Sequence, residues 1–240
     1  MTHTAVVTGG SSGIGWATVQ AMLARGWQVV SVATEPPPEV LPGLHAEICD
    51  LTDPAATAAT AARIAAAHAV SHIVHNAGLI RPALIDAAAP EDIATLAQIH
   101  LAAPLVLTQA VLPGMKARRF GRVLFTGSRA ALGVPTRTAY AATKAGIIGM
   151  ARTWALELAP HGITVNVVSP GPIRTQNFWD IVPKGSDAEA ALATRIPVGR
   201  LGEPADISRA LMFFADPDAG FVTGQVLMVC GGASIGAFSL

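Results

Sequence analysis

Apolar positions along the chain fall into two alternating patterns. Short β-branched runs of strand length recur at Ala5 to Thr8, Gln28 to Ala33, His45 to Cys49, His72 to His75, Arg122 to Thr126, Ile163 to Val168 and Val226 to Cys230. Between them lie stretches of helical composition and spacing: Ile14 to Arg25, the Ala-rich Pro54 to Ala69, Glu91 to Arg118, Thr138 to Leu158, Ala188 to Arg195 and Pro204 to Ala215. Strands that are apolar throughout, joined by connections long enough to hold a helix, belong to a parallel sheet covered on both faces. Right-handed crossovers then make it doubly wound. The pattern predicts an α/β fold, a doubly wound parallel sheet of seven strands, in a single domain, and no internal repeat interrupts it.

One segment breaks the alternation. Between Thr175 and Leu201 the chain carries Phe178, Trp179, Ile181, Pro183, Gly185 and Pro197, which resist a long helix but allow a short one between hinges. Three large apolar residues so close together are costly to leave in water, so the segment is expected to be a lid over a site.

Composition narrows the classes of function. Lys plus Arg and Asp plus Glu both number 16, and the basic residues are scattered, so nucleic acid is not an expected partner. No uninterrupted apolar stretch has the length of a membrane span, and Met1-Thr2-His3-Thr4 runs into a strand without the pattern of a secretory signal. The expectation is a cytoplasmic protein without a membrane role. Cys49 and Cys230 each fall at a strand end, with no second Cys or His cluster at metal-ligand spacing, so they read as small hydrophobes and no metal is expected.

The first strand leads directly into Thr8-Gly9-Gly10-Ser11-Ser12-Gly13-Ile14-Gly15 and then a helix. Glycines at such a junction let the backbone turn sharply and approach a pyrophosphate, while the N–H groups at the next helix's start face the anion. Further along, Tyr140 and Lys144 are four residues apart at the start of a helix and share one face. A phenol titrates near about 10, and an adjacent ammonium favours its ionised form, which makes the pair a candidate acid/base. Ser128 follows the strand Arg122 to Thr126 and can hydrogen-bond the same substrate oxygen. Tyr140 is the only tyrosine in the chain.

These residues resemble the short-chain dehydrogenase/reductase family. The glycine pattern, Asn76-Ala77-Gly78, Ser128, Tyr140-x-x-x-Lys144 and Pro170-Gly171 occur in that family's order, from Thr8 to about Gly232. The resemblance, which extends to 3-oxoacyl carrier-protein reductase-like members, implies a Rossmann-like dinucleotide-binding catalytic domain over 1–240 with a substrate lid at about 175–201, and a homotetramer. It implies oxidoreductase chemistry in which hydride moves between a nicotinamide and a ketone or secondary alcohol. Tyr140 would be the acid/base, Ser128 would orient the substrate oxygen, and Lys144 would hold the nicotinamide ribose. Asp50, with Leu51 beside it, would meet the adenine, Asn76-Ala77-Gly78 would pass the adenine ribose, and Thr175, after Pro170-Gly171-Pro172-Ile173, would hold the carboxamide.

Two departures bear on the chemistry. Where a carboxylate at the end of the second strand would accept the ribose 2′-OH, the chain has Ala33 followed by Thr34, which tips the balance to NADP(H) over NAD(H), although Ser12 stands where a basic residue is common and Glu35 is near. His100 falls where relatives carry a catalytic asparagine. Pro104 has no N–H, so the carbonyl of His100 is freed to bind a water, and a relay from Tyr140 through the ribose, Lys144 and water to His100 is expected. Leu79, Ile80, Leu132, Phe178, Trp179 and Ile181 would make an apolar substrate pocket, and Arg81 and Arg137 would meet either an anionic group or solvent. Two alternatives remain at this point: a carrier-linked 3-oxoacyl reductase that docks its carrier on Lys116, Arg118 and Arg119, and a non-catalytic redox sensor.

Overall fold

The computed structural model describes residues 3–235. Its strands are β1 (Thr4–Thr8), β2 (Gln28–Ala33), β3 (Leu44–Ile48), β4 (His72–His75), β5 (Gly121–Thr126), β6 (Ile163–Pro170) and β7 (Val226–Val229). All pair in parallel, in the order β3-β2-β1-β4-β5-β6-β7. The seven-stranded, doubly wound α/β sheet read from the sequence is therefore present, with strand ends moved by a residue or two. After β1 the chain winds outward to β3 and then returns to β4 on the other side, so the winding reverses between β1 and β4. A crevice opens at such a reversal, above the carboxyl ends of the strands.

Helices cover both faces. Alternate residues of β1 split accordingly: Val6 packs into one core and Ala5 and Val7 into the other, as a strand's period of two requires. The first core is closed by α2 (Pro54–Ala67), α3 (Pro90–Ala97), α4 (Ala103–Arg118) and α5 (Thr138–Leu158). The second is closed by α1 (Gly13–Leu23) and α8 (Pro204–Ala215), which pack on each other through residues such as Val19, Met22, Ile207 and Leu211. Local sequence sets the helix starts. Asp53 accepts from the N–H groups of Ala55 (2.8 Å) and Ala56 (3.1 Å) ahead of Pro54, and Asp206 accepts from the Glu203 N–H (2.9 Å) ahead of Pro204.

The stretch expected as one helix from Glu91 to Arg118 is two helices joined by a π-turn over Gln98–Ala102. Pro104 cannot donate to the carbonyl of His100, and the chain widens so that the Ala103 N–H reaches Gln98 O. Taken whole, Pro90–Arg118 is long and apolar enough to cross a membrane. Its apolar side chains have another use here, because Leu96, Leu107, Val111 and Met115 are buried in the first core.

The 175–201 segment forms two short helices, α6 (Gln176–Trp179) and α7 (Asp187–Thr194). Arg174 anchors its base, pairing with Glu189 (3.2 Å) and Glu203 (2.7 Å).

Candidate functional site

A cleft of about 580 Å³ runs across the carboxyl ends of the strands. Its first end is built mainly from backbone. Gly9 (φ 65°) donates its N–H to Val32 O (2.7 Å), and Gly13 (φ 51°) opens α1; both angles lie in the left-handed region that favours glycine. Ser12 is the extended N-cap of α1, but its side chain makes no capping bond. The first N–H groups of α1 have no intrahelical partner and border the cleft at Gly13 and Ile14, so they fit an anion such as a dinucleotide's pyrophosphate. Glycine is also needed at position 15, but for packing: a Cβ there would overlap Gly9 O.

Thr8 and Gly15, expected to touch cofactor, belong to the scaffold and do not line the cleft. Thr8 is buried, and its hydroxyl accepts the N–H groups of Asn76 (2.9 Å) and Ala77 (3.0 Å), tying the glycine turn to the exit of β4. Asn76 completes the tie, donating to Thr8 O (3.2 Å) and accepting from Thr126 Oγ1 (3.1 Å). The other proposed cofactor residues do border the cleft: Ser11, Ala33, Thr34, Asp50, Leu51, Ala77, Gly78, Pro170, Gly171, Ile173 and Thr175. The Oδ1 atom of Asp50 accepts both the N–H (2.9 Å) and the hydroxyl (2.7 Å) of Thr52, which lowers its pKa. Among the described lining residues near Ala33 and Thr34 there is no basic side chain and Asp50 is the only acid.

The second end is built from side chains. β5 and the start of α5 bring Ser128, Tyr140 and Lys144 to the same stretch of cleft. Ser128 Oγ accepts from the Ala130 N–H (3.1 Å), which holds the hydroxyl in place. Lys144 is buried and donates to Thr126 O (2.8 Å), with Nζ 5.6 Å from the centre of the Tyr140 ring. Burial brings its pKa down to about 7. Burial also pushes the Tyr140 phenol up, while a hydrogen bond with Ser128 and the charge of Arg137 pull it down.

His100 lies beneath this group rather than in the main cleft. Its Nδ1 is 2.9 Å from Thr143 Oγ1, whose single proton serves the carbonyl of Ala139 (3.0 Å) or Tyr140 (3.1 Å). A Thr143 proton spent on either carbonyl puts the ring proton on Nδ1, and Nε2 is buried without a partner. Nε2 and the Lys144 ammonium lie 2.7 and 3.6 Å from the point a Gly78 Cβ would occupy, so only glycine fits there. A cavity of about 10 Å³ borders His100, Lys144, Pro104 and His75, room for one water. Burial, aided by the Lys144 charge, lowers the His100 pKa to about 2. The imidazole is thereby held in its neutral form.

Phe178 and Ile181 of the 175–201 segment line the cleft with Leu79 and Ile80, but Trp179 and Leu132 do not. Trp179, one helical step from Phe178, faces elsewhere and packs edge-on against it at 5.0 Å. Leu132 ends a single 3₁₀ turn and is 64% exposed. Arg81 is outside the cleft, near Asp92 (3.8 Å). In the basic cluster at the end of α4, Arg118 donates to Val70 O and Arg119 to Pro160 O (3.1 Å), so two of the three side chains brace loops. Arg129, which no sequence motif singles out, lines the cleft one residue after Ser128. Both cysteines are buried and free, and the described residues contain no group of three His, Cys, Asp or Glu side chains placed to hold a metal.

A family described as enoyl-(acyl carrier protein) reductase matches residues 9–234. The chain is 35% identical over 238 residues to the 3-oxoacyl-(acyl-carrier-protein) reductase of Vibrio harveyi, covering 95% of this chain and 96% of that one. It is 44% identical over 163 residues to the hydroxy(phenyl)methylsuccinyl-CoA dehydrogenase subunit BbsD of Thauera aromatica, covering 68% of this chain but only 64% of the relative. A Beutenbergia cavernae protein assigned as an NAD(P)-dependent gluconate 5-dehydrogenase, solved with NADP at low occupancy, superposes with a TM-score of 0.88 at 30% identity, covering 96% of each chain. Fold and site together define a nicotinamide-dependent oxidoreductase acting on C=O and CH–OH groups. The chain belongs to the short-chain dehydrogenase/reductase family.

Proposed function

We propose that the protein interconverts a ketone and a secondary alcohol with Tyr140 as acid/base, Ser128 as the orienting donor and Lys144 as the charge behind the phenol. The observation that carries this reading is the single cleft with an anion-fitting glycine turn at one end and these three side chains at the other. Bound at the glycine turn, the nicotinamide dinucleotide supplies or accepts the hydride. In the reducing direction Ser128 donates a hydrogen bond to the substrate carbonyl oxygen, and Tyr140 transfers its proton to that oxygen as charge develops there. In the oxidising direction the Tyr140 phenolate takes the proton back. Lys144, held by Thr126 O within 5.6 Å of the ring, favours that phenolate whenever it is protonated. The His100 carbonyl and the one-water cavity beside Lys144 offer a path for the proton to leave, with the imidazole a neutral acceptor.

The test is Tyr140→Phe. General acid/base loss lowers turnover by about 10² to 10⁴-fold. Dinucleotide affinity, followed by tryptophan fluorescence, is expected to persist. Turnover retained in the variant would overturn the proposal, and a wild type that binds dinucleotide without reducing any ketone would favour a redox sensor.

The cofactor reading favours NADP(H): Ala33 and Thr34 leave no carboxylate at the strand end to repel a 2′-phosphate. Comparing kcat/KM for NADPH and NADH checks it. We place the enzyme in the cytoplasm as a homotetramer joined through the outer face of α5, where Leu156 is 80% exposed; light scattering reports the mass. The names of two relatives favour a second reading, an acyl thioester as the ketone-bearing substrate, since one acts on a 3-oxoacyl carrier protein and the other on a hydroxylated succinyl-CoA.

A further inference from the structure

Charge is distributed unevenly along the cleft. Its only lining carboxylate among the described residues is Asp50, beyond β3. Four strand spacings, roughly 19 Å, separate β3 from β5, where the chemical end begins. That end holds three cationic side chains: Lys144, Arg129 and Arg137. Lys144 is bonded to Thr126 O. The two arginines are half-buried, and neither has a carboxylate within 4 Å among the described residues. By contrast, the arginines that do form ion pairs, at 25, 63, 81, 174, 200 and 209, all lie outside the cleft.

The fold holds Arg137 in place without neutralising it. Its Nη1 donates to Thr136 Oγ1 (2.6 Å) and Thr136 O (3.2 Å). Thr136 is a β-branched residue at φ 65°, a conformation that must be held from outside, and its carbonyl also accepts the Ala83 N–H (3.0 Å) from the loop after β4. Nε and Nη2 of Arg137 make no hydrogen bond among the described residues, and Arg129 makes none with its side chain. The guanidinium of Arg137 is close enough to the phenol of Tyr140 to lower its pKa. Around them the walls are apolar: Leu79, Ile80, Val134, Phe178, Ile181 and Leu192.

We infer that Arg129 and Arg137 form an anion subsite, and that the substrate is an oxo- or hydroxy-acid whose carboxylate lies a few atoms from the reacting carbon. The inference rests on the reductase reading and names its substrate class. A guanidinium in an apolar cleft is costly without a counter-ion, and its planar donors match a carboxylate. A neutral ketone would displace water from both guanidinium groups without replacing the lost hydrogen bonds, whereas a carboxylate replaces them. A phosphate of a nucleotide thioester carries the same charge and is the competing source.

The experiment compares matched pairs: 3-oxobutanoate and 4-oxopentanoate, each against its methyl ester, and 3-oxobutanoyl-CoA against the 3-oxobutanoyl thioester of N-acetylcysteamine. The expected result is a kcat/KM ratio of acid to ester above about 10 for at least one carboxylate pair, shrinking with added salt and falling towards 1 in Arg129→Gln/Arg137→Gln. Equal use of acid and ester, or a preference that survives in the double variant, overturns the subsite. A preference confined to the CoA pair overturns the carboxylate assignment in favour of a phosphate. Calorimetric binding of succinate against dimethyl succinate, on wild type and double variant, reads the subsite independently of turnover. Succinate binding that vanishes with the arginines supports it even if no ketone reacts and the reductase reading fails; no binding and no preference together reject it.

Discussion

The two ends of the cleft are made by different means. The glycine end offers main-chain N–H groups and an absence of side chains: Gly9, Gly13 and the uncapped start of α1. The chemical end offers side chains whose ionisation the fold has altered, with Lys144 brought to about 7 and His100 to about 2 by burial. A backbone site is robust to pH and intolerant of added atoms. A side-chain site is the reverse, tolerant of small changes in shape and sensitive to protons and charge.

The largest expected effect tests that contrast with acid. His72, His75 and His100 sit on β4 and the α3–α4 junction, with burial lowering their pKa values to about 3, 3 and 2. Each is neutral in the folded state and titrates near 6.5 when unfolded. The stability they confer is complete above about pH 6.5 and is lost as pH falls from there towards 3, because the unfolded chain takes up protons that the folded one refuses. Each group contributes about 1.4 kcal/mol per pH unit in that window, so below about pH 5.5 the combined slope approaches roughly 4 kcal/mol per unit. Urea unfolding at pH 7, 6 and 5 measures it, and a flat stability would break the burial account of these histidines.

Gly15→Ala comes next and probes the backbone end alone. Its methyl group would overlap Gly9 O, and overpacking of this kind costs about 1–3 kcal/mol. The expected signature is a lower urea midpoint together with weaker dinucleotide binding, equal at pH 6 and 8. A strong pH dependence of the defect would show that the turn is not a purely steric device.

His100→Asn should have the smallest effect. Since the imidazole is neutral across the working range, wild-type and variant pH–rate profiles should superimpose to within about half a pH unit. Nitrogen NMR of the ring should report Nδ1–H throughout pH 5 to 8. A profile limb near 6.5 that disappears in the variant would restore the proton-carrying role that the sequence suggested.

Much of this was legible beforehand for reasons that are local. The alternation of β-branched runs with helical stretches gave the seven strands and their wrapping helices, and Pro104 foretold a disturbed helix at His100. Tyr140 and Lys144 share a face because a helix repeats every 3.6 residues, whatever surrounds it. The misses are of another kind. Hydrophobicity alone puts Trp179 and Leu132 in the pocket, yet apolar character does not say which way a side chain points in a short helix or at the end of a 3₁₀ turn. Thr8 and Gly15 sit within the glycine pattern and yet hold the turn together from behind. Nothing in the sequence neighbours of Arg129 distinguishes it from a solvated arginine.

The sequence by itself determined the order of the strands' making, the glycine turn and the Tyr140–Lys144 spacing, since each follows from backbone geometry over a few residues. Only tertiary structure decided which distant residues face one another, and therefore which charges go unpaired. Arg129 and Arg137 line one cleft because the turn after β5 packs against α5, and His100 and Lys144 lose their ordinary basicity because burial removes water. Desolvation and charge pairing depend on everything nearby in space, which a list of residues does not contain.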